Sequence, residues 1–403
     1  MPPPPAAPSA AEVVLTFLES VGRRSEAELY LRLFHKLPKE SFAVIAPGGP
    51  VVRHGVGAFV EQLRFLGDLD LFAPVVLGLF NPEGAAAGAE RLAKRLPIVG
   101  LEATQHEMGE DNLAELVREE LRKERVPVLH FRVEEGVTYQ ARLLALANLS
   151  RALDTRKIVM LRRRGGLAAR PNQSFVGGGR VSVINLRTDQ EVFNSPRVLD
   201  KRERELLEAA ASLIQAIGSS SLLVSITSPL NLLKELFTVR GAGTLIKPGT
   251  VVERRNSYAE VDLSRLTALL ESSFGRPLSA LFFERPIAAV YFEPNYRGAA
   301  IVLDGGPAPY LTKFAVEPDA QGEGIGNDLW QAMQRDFPRL FWRGRPENPI
   351  TPWYQSVCDG MVRLPNWNLY WRGIAPDKIP GLIAYVEALS PDFAPPPRNE
   401  FKS

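Results

Sequence analysis

Residues 313–326, Lys313-Phe314-Ala315-Val316-Glu317-Pro318-Asp319-Ala320-Gln321-Gly322-Glu323-Gly324-Ile325-Gly326, carry the clearest chemistry in this chain. An apolar strand ends at Val316, and an acidic turn with one proline follows. Gln321-x-x-Gly324-x-Gly326 then opens a helix that continues through Leu329, Trp330 and Met333. Glycines at a helix start let a ligand approach the backbone closely. The first N–H groups of a helix have no partner inside it, so they suit a pyrophosphate. Gln321, Gly322, Gly324, Ile325 and Gly326 are therefore candidates to cradle one. A bare G-x-G is also an ordinary turn with no ligand; the strand before it, the Gln and the clean helix after it favour the site. A second run, Arg162-Arg163-Arg164-Gly165-Gly166, reads as a solvated loop or as a contact for an anion or another subunit.

The elements that must position the glycine loop form the second of two blocks. Asp262–Phe274 reads as a helix with Leu263, Leu266, Leu269 and Leu270 as its core stripe. Strands are expected at Ile287–Phe292, Ala299–Leu303 and Tyr310–Val316. The glycine-led helix comes next, then strands near Leu340–Arg343 and Trp367–Trp371. In the first block, residues 11–36 read as one or two helices. Short apolar runs follow at Phe42–Ile45, Val75–Leu77, Val126–Leu129, Ile158–Leu161 and Leu222–Ile226, with helical patterns over Glu110–Lys123, Arg142–Leu153 and Arg202–Ile217. Apolar strands alternating with helices imply a mainly parallel sheet covered on both faces. The domains expected are residues 21–248 and 249–392, between tails at 1–20 and 393–403.

Composition narrows the classes. A chain of 403 residues with 45% hydrophobic content has the material for two or three cores. A net charge of +2, with acids and bases interspersed, gives no support for a nucleic-acid binder. The single cysteine, Cys358, rules out an internal disulfide, and the four scattered histidines show no metal-ligand spacing. No metal and no membrane partner are expected. The proline-led N-terminus lacks the features of a signal or transit peptide, so a cytoplasmic location is expected.

Longer stretches carry a family resemblance. The strand–loop–helix at 313–326 resembles the acetyl-CoA site of the GNAT acetyltransferase fold. Glu235–Thr244, Glu-Leu-Phe-Thr-Val-Arg-Gly-Ala-Gly-Thr, resembles the end of the N-acetylglutamate kinase fold. Leu311–Val316 resembles the acetyl-CoA strand of N-acetylglutamate synthases. So does Phe341–Ile350, with Pro352-Trp353-Tyr354 behind it. In this order the chain is similar to vertebrate-type synthases and bacterial bifunctional synthase–kinases. The resemblance implies an α/β protein, an amino-acid-kinase-like parallel-sheet sandwich followed by a GNAT α+β acetyltransferase domain. It implies transfer of acetyl from acetyl-CoA to L-glutamate, the first step of arginine biosynthesis, by a homo-oligomer.

The first domain departs from that pattern. Ala46-Pro47-Gly48-Gly49 stands where the family has a Lys-x-Gly-Gly phosphate loop, so the lysine that would neutralise transferring phosphoryl charge is absent. Leu79-Phe80-Asn81 stands where a Gly-Ala-Gly loop is expected, and side chains there obstruct backbone approach to phosphate. The segment between Gly100 and Val126 is shorter than in the family. Loss of kinase chemistry is expected.

Acetyl transfer to an amine needs a held thioester, a neutral and aligned amine, and a proton for the leaving thiolate. The strand residues Phe314, Ala315 and Val316 are expected to hold the cofactor arm, with N–H groups of Phe314 and Val316 toward it. The resemblance assigns Arg276, Lys313, Arg343, Arg345 and Asn348 to the acceptor, as cations and an amide suit two carboxylates. It assigns Tyr354, aided by Asn348, to catalysis, with Tyr354 as the acid for the CoA thiolate. It also implies an L-arginine effector site at Tyr30, Glu235, Gly241 and Gly243. The alternatives are another acceptor amino acid, a non-catalytic arginine-sensing subunit, and retained acetylglutamate kinase activity.

Overall fold

A computed structural model describes residues 24–170, 179–219, 222–237, 242–304, 306–317, 320 and 324–394. Its internal contacts separate two units, Met1–Gly249 and Thr250–Ser403. The tail expected at 1–20 lies outside the described residues. No helix among them is long and apolar enough to cross a membrane.

The strands of unit 1 are β1 (Val44–Pro47), β2 (Val75–Leu77), β3 (Ala103–Glu107), β4 (Val126–His130), β5 (Lys157–Leu161), β6 (Ala168–Ala169), β7 (Gly179–Arg180), β8 (Val183–Asn185), β9 (Leu223–Thr227) and β10 (Thr244–Lys247). All but β6 and β7 form one sheet in the order β3-β4-β2-β1-β5-β9-β10-β8. Pairing is parallel except between β9 and β10. Strands β1, β2 and β4 are buried throughout because they run as unbroken apolar stretches in the sheet interior. The helices are α1 (Arg24–His35), α2 (Gly49–His54), α3 (Val56–Asp68), α4 (Ala85–Arg95), α5 (Leu113–Arg122), α6 (Tyr139–Ala152), α7 (Leu186–Phe193), α8 (Lys201–Ile217) and α9 (Leu232–Phe237). Their starts follow local chemistry. Thr138 caps α6 and Asp200 caps α8, each accepting a hydrogen bond from a free N–H of the first turn.

Unit 2 carries β11 (Glu253–Arg255), α10 (Leu263–Phe274), β12 (Ile287–Phe292), β13 (Gly298–Leu303), β14 (Tyr310–Val316), α11 (Ile325–Asp336), β15 (Leu340–Gly344), α12 (Thr351–Val357), β16 (Gly360–Arg363), β17 (Asn368–Arg372) and α13 (Ile379–Ala388). The sheet order is β11-β12-β13-β14-β15-β17-β16. Only β14 and β15 pair in parallel. Helix α11 packs on one face, with Ile325, Leu329, Trp330 and Met333 against Ala300, Val302 and Leu311. Helices α10 and α13 pack on the other, with Leu266, Leu270, Leu382 and Val386 against Val290, Ile301 and Phe341. Asp262 starts α10 by accepting from Arg265 N (3.1 Å), and Gly275, at φ 64°, ends it.

The C-terminal boundary differs from the expected one. Phe393, assigned to a tail by its proline-rich surroundings, bridges to Leu278. Ser279 N donates to Asp392 O and Ala394 N donates to Pro277 O, each at 2.9 Å. Residues 391–394 are thus a strap laid along the segment that follows α10.

Candidate active site

Strand β14 is the centre of the site. It pairs with β13 from Tyr310 to Val316, but among the described residues it pairs with β15 only at Tyr310–Phe341 and Leu311–Trp342. Beyond Leu311 the two parallel strands part. The register of β13 and β14 shifts at the same level, between Ile301 and Val302, leaving Thr312 as the extra residue. A bulge adds twist and bends its strand, which turns the last residues of β14 away from β15. Glu317 N donates to Arg297 O on the β13 side (2.8 Å). Successive N–H groups of a strand alternate in direction, so those of Val316 and Phe314 point to the opposite edge, into the gap.

The loop after β14 leads into α11. Gly324, at φ 87°, takes the left-handed conformation that glycine adopts without strain and caps the helix. A Cβ on Gly326 would stand 3.4 Å from Val316 and 3.7 Å from Phe314, so the first turn of α11 rests on the end of β14. Ile325 is buried there. Gln321 and Gly322 lie outside the described residues.

Side chains of β14 divide between the two faces. Phe314 stacks on Trp353 (5.4 Å between centroids) on the α11 face. Lys313 points to the other face, where it is 3% exposed. Its ammonium lies 5.7, 5.1 and 4.9 Å from the ring centroids of Phe274, Phe282 and Phe393. Lys313 Nζ donates to Asp392 Oδ2 at 2.5 Å. Burial lowers the Lys313 ammonium to about 8, against the opposing pull of Asp392. Burial acts to raise the Asp392 carboxyl, but Lys313, Arg285 and Arg343 together outweigh it and hold it below its ordinary range.

Of the other expected acceptor residues, Arg343 reaches the same acid and Arg276 the strap that carries it. Arg343 Nη2 lies 3.7 Å from Asp392 Oδ2, while Arg343 Nη1 donates to Val386 O at 3.0 Å. Arg276 Nη2 donates to Ala394 O at 3.0 Å. Arg343 and Arg345 both stand over the Trp367 ring, at 4.2 and 4.5 Å. Asn348 stands at the turn that starts α12: its Oδ1 accepts from Ile350 N (3.1 Å) and its main-chain oxygen accepts from Thr351 N (2.9 Å). Sequence reasoning missed Asp392, Arg285 and Trp367. Arg285 also binds the Asp392 carboxylate and donates to Ser390 O at 3.0 Å. Asp392 stands among prolines, outside any periodic pattern, and Trp367 reads in sequence only as the start of a strand.

Tyr354 lies on the α11 face. Its ring packs against Trp342 (5.7 Å) and Tyr370 (5.4 Å), with Gly344 beneath it. Burial pushes its phenol well above the ordinary range, which keeps it protonated at neutral pH. Among the described residues no group of three or more His, Cys, Asp or Glu could hold a metal ion.

The loops of unit 1 are closed by hydrogen bonds within the unit. Gly48 N donates to Leu161 O at 2.9 Å. The buried Arg142 of α6 donates to Leu79 O (3.0 Å), Val137 O (3.2 Å) and Phe80 O (3.4 Å), and Phe80 stacks on Tyr139. Within the Arg162–Gly166 run, Arg162 is tied down from inside the unit: it grips both Glu203 oxygens at 2.8 Å and donates to Gly166 O at 2.5 Å. Arg163 and Arg164 are exposed.

The expected arginine pocket is also internally satisfied. Glu235 is 4% exposed and accepts from Ala242 N (2.8 Å) and Gly243 N (2.9 Å). Lys157, its pKa lowered by burial, donates to Glu235 O at 2.9 Å. Gly243 has a packing reason to be glycine, since a Cβ would lie 2.1 Å from Ile226 O. Tyr30 packs on Phe34 (5.9 Å), and Gly241 lies outside the described residues.

Comparison with known proteins fits this geometry. The family model for the N-acetyltransferase (NAT) of N-acetylglutamate synthase matches residues 253–388. An acetylglutamate kinase of Xylella fastidiosa is 32% identical over 407 residues, spanning 87% of this chain and 94% of that protein. The mitochondrial N-acetylglutamate synthase of Homo sapiens is 33% identical over 237 residues, covering 57% of this chain and 43% of that protein. The structure of Neisseria gonorrhoeae N-acetylglutamate synthase complexed with coenzyme A and N-acetyl-glutamate superposes with a TM-score of 0.53. It covers 86% of this chain and 97% of that one at 16% identity, a likeness of fold.

Proposed function

This chain belongs to the family that joins an acetylglutamate-kinase-like unit to the acetyltransferase unit of N-acetylglutamate synthase, and on that premise we propose that it transfers acetyl from acetyl-CoA to the amino group of L-glutamate. One observation carries this function. The gap between β14 and β15 is lined by the N–H groups of Phe314 and Val316 and flanked by a cation cluster on one sheet face and Tyr354 on the other.

Acetyl-CoA is a substrate of this reaction and supplies the thioester. In our assignment Phe314, Ala315 and Val316 hold its arm, and Gln321, Gly322, Gly324, Ile325 and Gly326 hold its diphosphate. Arg276, Lys313, Arg343, Arg345 and Asn348 take the glutamate carboxylates, which leaves the amine free to align. The amine nitrogen forms the new bond to the acetyl carbon, the carbon–sulfur bond breaks, and the amine proton passes to water. Tyr354, neutral in its buried setting, gives its proton to the departing thiolate.

CoA release measured over a panel of amino acids tests the reaction. Release with glutamate is expected; release with another amino acid in its place, or with none, overturns the assignment. We further assign unit 1 a structural role without phosphoryl transfer. Support comes from the absent loop lysine, the committed Gly48 N–H and the Arg142 plug across Leu79 and Phe80. L-Arginine is the proposed effector at Tyr30, Glu235, Gly241 and Gly243. Its binding must open the Glu235 turn, and calorimetry without heat on adding arginine would retire it. We place the enzyme in the cytoplasm as a homo-oligomer, which light scattering of the purified chain tests.

A further inference from the structure

We propose that the strap Pro391–Ala394 acts as an internal pseudosubstrate, with the Asp392 carboxylate occupying the position that a carboxylate of the acceptor must take. The inference rests on the acetyltransferase assignment and adds a gate to the same site. Three of the residues assigned to the acceptor end on this strap. Lys313 and Arg343 face the Asp392 carboxylate, and Arg276 donates to the Ala394 carbonyl. Arg285, from the segment before β12, adds a third cation to Asp392 and reaches Ser390 O.

Access follows from the same contacts. Lys313 is 3% exposed, and besides Asp392 its ammonium meets Thr312 O (3.2 Å) and the rings of Phe274, Phe282 and Phe393. Asp392 and Phe393 are adjacent on the strap, so one movement removes both the carboxylate and a ring from the ammonium. While the strap is seated, no external carboxylate reaches Lys313. Among the described residues only two main-chain to main-chain hydrogen bonds tie the strap down, Ser279 N to Asp392 O and Ala394 N to Pro277 O, beside the side-chain bonds from Arg276 to Ala394 O and from Arg285 to Pro391 O. That is a short tether compared with the long β13–β14 ladder beside it.

The exchange is chemically balanced. Removing Asp392 alone would leave the buried Lys313 ammonium without an opposing charge, which is strongly disfavoured. Replacing it by an acceptor carboxylate keeps Lys313, Arg285 and Arg343 paired throughout. An amine that brings no carboxylate cannot make this replacement, so the strap excludes such amines and admits carboxylate-bearing ones.

Two measurements on the full chain test the strap. The first compares glutamate KM in wild type, Asp392→Asn and Asp392→Ala at saturating acetyl-CoA. With the competing carboxylate gone, glutamate KM should fall about tenfold, while acetyl-CoA KM stays in place. An unchanged or raised glutamate KM in variants that melt as wild type does would overturn the proposal. The second uses wild type alone and needs no turnover. Saturating glutamate should speed hydrogen exchange at the Ser279 and Ala394 amides. Exchange that is unchanged or slowed there overturns the strap whether or not CoA is released. Absence of CoA release speaks against acetyl transfer, and the exchange result then decides on the strap by itself.

Discussion

At the scale of single residues, the site sets a cation and an acid on opposite faces of one sheet. Lys313 can hold a carboxylate only when protonated, and burial lowers its pKa to about 8. The charged form therefore prevails below that pH and is lost above it. The acceptor amine, in contrast, must lose its proton and gains reactivity as pH rises. kcat/KM for glutamate should accordingly rise and then fall on the alkaline side, because this ratio reports groups of the free enzyme and substrate. A rise to a plateau through pH 10 would count against Lys313 as a carboxylate ligand. Tyr354 acts on the other face. Tyr354→Phe should cut kcat by about 10²-fold, the usual contribution of a positioned acid, and change glutamate KM little. Steady-state rates with both substrates varied would check this, and an unchanged kcat would remove Tyr354 from the mechanism.

Single elements decide whether those residues meet a cofactor. The bulge at Thr312 and the end of β14–β15 pairing fall at the same level, and together they open the gap. Helix α11 is set against the gap by β13. A Cβ on Gly298 would stand 2.6 Å from Ile325 Cγ2 and 2.9 Å from Leu329 Cδ1. Gly298→Val should therefore push the glycine-led end of α11 off the sheet, at a cost of about 1–3 kcal/mol. Thermal melting should fall and acetyl-CoA KM should rise, with both unchanged if α11 has no part in cofactor binding. Element by element, the apolar runs located most of the interior strands, because strands buried on both faces need unbroken apolar sequence, while β10, inside its sheet, was not located. Periodicity missed β6, β7, β8 and β10, as well as three outermost strands, β3, β11 and β16. All three lie at or next to sheet edges and leave most residues only half-buried, so their sequences Ala-Thr-Gln-His-Glu, Glu-Arg-Arg and Gly-Met-Val-Arg carry little apolar signal.

At the scale of the whole molecule, two α/β units share one chain, and in unit 2 the central β14–β15 pair is open-ended beyond Leu311. The corresponding loops of unit 1 have their polar groups joined to Leu161, Arg142 and Glu203. Purified full-length protein should release CoA with glutamate and acetyl-CoA, yet form no ADP from ATP and N-acetylglutamate. ADP formation at a rate comparable to CoA release would show that the Gly48 loop still binds a nucleotide. The Xylella fastidiosa relative, an acetylglutamate kinase by name, makes this the comparison of most interest.

The sequence by itself determined what is local. The order of strands and helices, the capped helix starts, the glycine-led loop after β14 and the alternation that separates Lys313 from Phe314 all follow from residue type and spacing over a few positions. The loss of the loop lysine was equally legible, since one missing side chain needs no fold to be noticed. Only the tertiary structure decided which charges face one another. Asp392 meets Lys313 across a separation of 79 residues, and Arg142 reaches Leu79 across 63. Contacts of that range depend on how the sheet closes and which segment covers it. Sequence alone therefore gave Arg162 and Glu235 no partner within the chain and did not single out Asp392, and the fold pairs each of them.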